Sequence, residues 1–409
     1  MNRERINFLF LNVGHFLDHL FVLIFASVAA LRLTQEWSMS YGELIPYATP
    51  GFIAFGLFAI PAGWLADKWS REGMMTIFFI GIGASSIIAS LAQSPLQISA
   101  GLLLIGMFAA IYHPVGLAMV VHGREKTGIP LGINGVFGNM GVACAALLTG
   151  IMIDTAGWRT AFVLPGIISI GIGLCYGVFV YSGRAQRASD ASSGAAARKA
   201  AVGQLEIDRK TVIRVLSIVM FAAALGGLIF QSATFALPKI LAERLAQMTG
   251  SATSIGTYAF TVFALAAFAQ LVVGYLIDRH SARLVFATVA GVQAVLFAVM
   301  YQLHGAWALV VALGFMLMVF GQIPITDVLI GRSTRSEWRS RVFSLKYIIN
   351  FSVSASALPL IGWLHGGWGF GALFALLAVA ATLILAAVLA LPRHGVIIVP
   401  MRNDLQGST

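Results

Sequence analysis

The chain has 409 residues, of which 59% are hydrophobic and only 10% charged, and it carries a formal net charge of +10. A soluble globular domain holds about 25% charged residues, so this composition cannot coat a water-facing surface. Long, nearly uncharged runs recur at about the 20-residue length that crosses a bilayer as a helix, which excludes a barrel of short alternating strands.

Twelve spans are expected. The first, near 6–31, follows Met1-Asn2-Arg3-Glu4-Arg5 and reads as an uncut helix: it is too long and too polar for a signal peptide and has no small-residue cleavage site. It carries Asn12, His15, Asp18 and His19. Spacings of three and four put the last three on neighbouring turns of one stripe, with Asn12 one turn before. An ionised Asp at mid-membrane costs about 2.5–3.5 kcal/mol on insertion scales, so the stripe should face a wet cavity or a partner. Histidine titrates near neutral pH, and a His–Asp pair can load and release a proton. The alternatives are a buried polar knot and, with His113 added, a ligand set for a divalent transition metal.

The second and third spans, near 41–66 and 74–92, flank Gly63-Trp64-Leu65-Ala66-Asp67-Lys68 and Arg71. The Asp67 carboxylate is stabilised there by a helix N-terminus. The fourth, near 96–121, holds Tyr112-His113-Pro114; the proline frees a carbonyl and can bend the helix, turning Tyr112 and His113 to a cavity. The fifth, near 129–154, carries Asn134, Asn139 and a seam of Gly132, Gly135, Gly138 and Gly141 that lets backbones approach. The sixth lies near 158–181. Residues 182–210, rich in Ala, Ser, Arg and Gly, read as a linker with a short surface helix near 204–209.

The remaining spans lie near 211–238, 252–277, 283–302, 306–330, 341–364 and 369–391. Gln231 and Thr234 mark the seventh and Tyr258 the eighth, which ends before Asp278. The tenth carries Gln322, Thr326 and Asp327. The eleventh carries Lys346, Asn350 and Ser354 on one stripe, so a Lys346–Asp327 bridge would close that exit. The expected domains are 1–181, the linker 182–210, and 211–409.

The second half echoes the first. Gly63 to Lys68 returns as Gly274-Tyr275-Leu276-Ile277-Asp278-Arg279, 211 residues on, Pro114 and Trp158 return as Pro324 and Trp368 at 210, and Asn139 and Asn350 are 211 apart. Such duplication is how many secondary transporters build a site between halves. Among the 26 lysines and arginines, only Arg32, Arg159, Lys239 and Arg244 fall on the side opposite the N-terminus. The positive-inside rule therefore places both termini in the cytoplasm of a multi-pass protein of a cytoplasmic or bacterial inner membrane, and explains the charge without nucleic acid. Cys144 and Cys175 sit inside apolar runs and imply no disulfide framework. No phosphate-binding Gly-rich loop and no nucleophile–base arrangement stands out, so neither ATP drive, an enzyme nor a cofactor is expected.

The loop Gly63-x-x-x-Asp67-Lys68-x-x-Arg71, its echo at Gly274, and Gly157-Trp158-Arg159-x-x-Phe162 resemble the signatures of the major facilitator superfamily. That resemblance implies an all-α fold of twelve transmembrane helices in two six-helix bundles related by a pseudo-two-fold axis. It also implies gating roles for Gly63, Asp67, Arg71, Arg341 and, as a weaker echo, Asp278. Gly106-Met107-Phe108-Ala109-Ala110-Ile111-Tyr112-His113-Pro114 with Phe137-Gly138-Asn139-Met140-Gly141 resembles the fosmidomycin-resistance type of exporter. Two positions depart from such exporters: Ala145-Ala146 replaces a Gly-Pro pair and Leu102 an arginine. The expected function is secondary active transport of a small molecule by alternating access, as a proton-coupled antiporter exporting an organic compound or drug. Asp18, His15, His19 and His113 would couple protons; Asn12, Tyr112, Asn134, Asn139, Gln231, Tyr258 and Asn350 would bind substrate; Asp327 and Lys346 would join the gate. Lipid, substrate and protons are the expected partners, and a monomer is expected. The alternatives are a transition-metal transporter using His15, Asp18, His19 and His113, and a non-transporting membrane receptor on the same scaffold.

Overall fold

A computed structural model of the chain describes residues 3–124, 128–190, 209–334 and 336–392. Helices account for nearly all of them, because hydrocarbon offers no hydrogen bonds and the backbone must satisfy itself. In chain order these are α1 (Arg3–Glu36), α2 (Tyr41–Lys68), α3 (Arg71–Ser90), α4 (Pro95–Val121), α5 (Gly128–Thr155), α6 (Trp158–Asp190), α7 (Arg209–Arg244), α8 (Ala252–Arg279), α9 (Ala282–Met300) and α10 (Ala306–Ser333). A last helical run, Ser336–Leu389, contains Gly369 at φ 71° and ψ −174°, where no helix can continue. Its apolar part alone is 42 residues, about 63 Å at 1.5 Å per residue, against a hydrocarbon core of about 30 Å. The run is therefore two crossings, α11 (336–368) and α12 (370–389), which makes twelve among the described residues. Most of the expected linker, its short surface helix included, falls outside those residues, as does the side chain of Arg341.

The duplication is written into the helix caps. Ser40 caps α2 in a reciprocal arrangement with Glu43, and Ser251, 211 residues later, caps α8. Ser70 caps α3 and Ser281 caps α9 at the same interval. Each hydroxyl satisfies an N–H that the first helical turn leaves unpaired. The Trp158–Trp368 pairing does not hold in space. Trp158 is 2% exposed and Trp368 63%. The positive-φ glycine that opens α6, Gly157, finds its counterpart in Gly369, so buried Phe370 occupies the position of Trp158.

The main seams between the halves are α5 against α8 and α2 against α11, with a smaller contact of α1 against α7. Both main seams are tight at the end that holds Asp154 and Tyr41. There the Asp154 carboxylate of α5 accepts from the Thr253 backbone N–H at 2.7 Å and from the Ser251 hydroxyl at 3.1 Å, at the N-terminus of α8. At the symmetry-related place, Tyr41 of α2 lies against His365 of α11 with ring centroids 5.3 Å apart. At the other end α5 and α8 part. A Cβ on Gly138 would sit 2.7 Å from the His15 ring, and α5 meets the Phe16 backbone at Gly141; a Cβ on Gly135 would meet nothing nearer than Gln270 at 3.9 Å, and one on Gly132 nothing at all. The expected glycine seam is thus half a seam. The halves are shut on the Asp154 side and open on the side of Asp67 and Asp278.

Candidate functional site: the cavity between the halves

A cavity of about 310 Å³ lies between the halves. The first half contributes His15, Asp18 and His19 from α1, His113 from α4, and Asn139 from α5; the second contributes Gln231 and Thr234 from α7, Gln322, Thr326 and Asp327 from α10, and Lys346, Asn350 and Ser354 from α11. The symmetry-related Asn139 and Asn350 therefore share one space.

The first-half wall is an imidazole cluster. The rings of His15 and His19 are 4.9 Å apart, those of His15 and His113 5.4 Å, and those of His19 and His113 5.6 Å. Asp18 is fully buried; His113 Nε2 lies 3.4 Å from its Oδ2, and neither carboxylate oxygen has a hydrogen-bond partner. His113 reaches the wall because α4 widens into a π-turn over Tyr112–Gly116, the stretch that Pro114 disrupts. Phe55 and Phe351, from opposite halves, close over His113.

Tyr112, Asn12 and Asn134 do not line this cavity. They form a knot behind the wall: the Tyr112 hydroxyl donates to the Leu11 carbonyl at 2.7 Å, and Asn134 Nδ2 donates to Asn12 Oδ1 at 2.9 Å and to the Tyr112 oxygen at 2.8 Å. They are satisfied among themselves and turned away from the cavity, whereas the sequence reading expected them to face it. Tyr258 is also absent from the lining; it packs partly buried against the apolar core.

On the second-half wall, Lys346 Nζ meets Asp327 Oδ1 at 2.5 Å. The bridge ties α10 to α11 within one half and stands while that side is open, so it does not by itself shut the exit. Thr234 spends its hydroxyl on the Phe230 carbonyl at 2.6 Å. Gln231 Nε2, Asn139 Nδ2 and Gln322 Oε1 are buried without partners and available to a ligand. Sequence reading passed over Gln270 and Gln293, which also line the cavity. A lone amide on an apolar run gives no signal of where it points.

The loop residues sit at the open end. Asp67 accepts from Arg71 at 2.8 Å and Asp278 from Arg332 at 3.3 Å, each pair exposed and confined to its own half. Gly63 lies opposite Pro114, 3.4 Å from where its Cβ would stand. The shut end holds residues that the sequence did not single out: Asp154, and a cluster in which Glu243 takes His365 at 2.9 Å and Lys239 at 3.5 Å while Lys239 lies 5.8 Å from the Tyr41 ring.

Comparison with known proteins agrees with this architecture. A bacterial homologue of the human lysosomal transporter Spinster, in an inward-facing unoccupied state, superposes with TM-score 0.69 at 14% identity, covering 95% of both chains. A D-xylose–proton symporter gives 0.69 at 12% identity over 95% of this chain and 98% of its own. In sequence, a probable actinorhodin transporter of Streptomyces coelicolor is 26% identical over 155 residues, 36% of this chain and 26% of that protein. A probable sulfoacetate transporter of Cupriavidus necator is 23% identical over 155 residues, 37% of this chain and 36% of that protein. The chain thus matches only about a quarter to a third of the length of these relatives. The model of the Major Facilitator Superfamily, in contrast, matches residues 11–246 and 240–397. Twelve helices in two related halves, a polar cavity between them and this match across the chain make it a member of the Major Facilitator Superfamily of transporters.

Proposed function

We propose that the protein is a proton-coupled secondary transporter that exports a small organic compound by alternating access. The observation that carries this reading is Asp18: a buried carboxylate with no hydrogen-bond partner, on the wall of the interlobe cavity and 3.4 Å from His113. A group so placed is costly unless it binds something, and a proton taken up on one side and released on the other is the simplest ligand. The lining suits an organic cargo. Phe52, Phe55, Phe230 and Phe351 offer apolar area, while Asn139, Gln231 and Asn350 offer amides. Cavities of about 300–1,000 Å³ accommodate small molecules. Export follows from the resemblance of the Gly106–Pro114 and Phe137–Gly141 stretches to fosmidomycin-resistance exporters.

The positive-inside rule favours a cytoplasmic open end and cytoplasmic termini, in a cytoplasmic or bacterial inner membrane. On this reading 1–181 and 211–409 are the rocking bodies and 182–210 links them. Asp67 and Arg71 hold the open end shut in the opposite state. Purified protein in vesicles loaded with a pH dye tests the scheme, with fosmidomycin and 4-hydroxybenzoate as probes. Addition of a transported probe should move protons, and Asp18→Asn should abolish that movement while probe–probe exchange survives. Undiminished proton movement in Asp18→Asn would overturn the coupling assignment.

A further inference from the structure

The imidazole cluster has a geometry that proton exchange does not require. One nitrogen from each of His15, His19 and His113 can be chosen so that all three lie within 4.8 Å of one another. A zinc-like ion holds imidazole nitrogen at about 2.0–2.1 Å in a tetrahedral shell. That distance puts each ring centre about 3 Å from the metal, and any two ring centres about 5 Å apart. The observed separations are 4.9, 5.4 and 5.6 Å. The ring centres therefore already stand about as far apart as in a three-imidazole shell, and small side-chain rotations bring the nitrogens from within 4.8 Å to the roughly 3.3 Å that such a shell requires.

The surroundings of the rings match as well. Histidines that bind a metal hand their second ring nitrogen to a carbonyl or a carboxylate, which fixes the tautomer and the ring orientation. His15 Nδ1 lies 2.7 Å from the Asn134 carbonyl, so Nδ1 carries the hydrogen and Nε2 keeps its lone pair. That Nε2 is buried and has no partner. Asp18 Oδ2 lies 3.4 Å from His113 Nε2, so with Nε2–H turned to that carboxylate His113 offers Nδ1 as its ligand atom. We propose that His15, His19 and His113 form a binding site for a divalent transition-metal ion of the zinc and cobalt class, with Asp18 and the Asn134 carbonyl as its orienting groups and the fourth position open to the cavity.

Three nitrogens select such ions over magnesium and calcium, which prefer oxygen. The cavity supplies the entry path. All three ligands come from α1 and α4 of the first half, so the site is complete without any rocking of the halves. The other described histidines that make contacts are committed elsewhere: His304 to Arg244 and the Gln302 carbonyl, and His365 to Glu243. The assignment does not rest on the transport reading, and it is measured on the resting protein.

Cobalt titrated into the full chain in detergent provides the test. One equivalent should develop the intense visible absorption of a four-coordinate ion, zinc should remove it, and magnesium should not. X-ray absorption of the cobalt-loaded wild type should show about three imidazole nitrogens. His15→Ala and His19→Gln should each lose the band, and His304→Ala should keep it. Asp18→Asn should weaken binding about 10- to 100-fold without abolishing it, as removal of an orienting partner does. A wild-type chain that leaves cobalt six-coordinate, or a band that survives in the His15→Ala, His19→Gln double variant, would overturn the site.

Discussion

Asp154→Ala perturbs the shut end at one atom group. The carboxylate binds the first turn of α8 across the seam, through the Thr253 N–H at 2.7 Å and the Ser251 hydroxyl at 3.1 Å. A cap of this kind is worth about 0.5–2 kcal/mol, and a carboxylate at an exposed helix N-terminus about 0.3–1 kcal/mol. Asp154 is exposed, so about 1 kcal/mol is the fitting figure, and that converts to about a fivefold change in an equilibrium. Because the bond exists only where the halves meet, its loss should shift the population about fivefold toward the state opened at that end. Spin labels at Ala156 and Met248, on facing loops of the two halves, report the change as a longer distance component; Cys144 and Cys175 would be replaced by alanine to keep labelling specific. Ser251 still caps α8 from within its own half, so the helix should survive the substitution. A distance distribution identical to that of the wild type would refute the claim that this contact latches the halves.

Tyr112→Phe removes the hydroxyl that joins Leu11 to Asn134 and should cost about 1–3 kcal/mol of stability, read as a lower thermal midpoint, while KM for a transported probe stays within twofold. A KM shift of tenfold would put Tyr112 back in the substrate site. Asp327→Asn removes the carboxylate that Lys346 Nζ meets at 2.5 Å and should lower the thermal midpoint, because a mostly buried ammonium then has less to offset its lost hydration; an unchanged midpoint would show that the bridge contributes nothing to stability. Gly141→Leu drives a side chain into the Phe16 backbone and should destabilise by at least the roughly 1–3 kcal/mol of overpacking, whereas Gly132→Leu, which meets nothing within 4 Å, should leave the thermal midpoint unchanged.

The twelve crossings and the two-fold repeat were legible from one sequence, while several ends run past the expected bounds, as at Glu36 of α1 and Arg244 of α7. Lipid leaves an apolar run of 20 residues little choice but helix, and duplication leaves Ser40 and Ser251, Ser70 and Ser281, and Asp67 and Asp278 at one spacing. The His15, Asp18, His19 stripe was legible too, because an intramembrane charge has few places to go. Which way the other polar groups turn was not. Asn134 and Asn139 sit on the same helix, yet one knots with Asn12 and Tyr112 while the other faces the cavity. The rotation of α5 about its axis decides between them, and that rotation is set by its packing against α1 and α8. Asp154, at the end of α5, gave no signal in the sequence; its role comes from α8, which meets it from nearly a hundred residues away. Local chemistry dictates a helix and its caps; the azimuth of each helix, and hence what any amide or carboxylate meets, is settled by neighbours that only the assembled bundle brings.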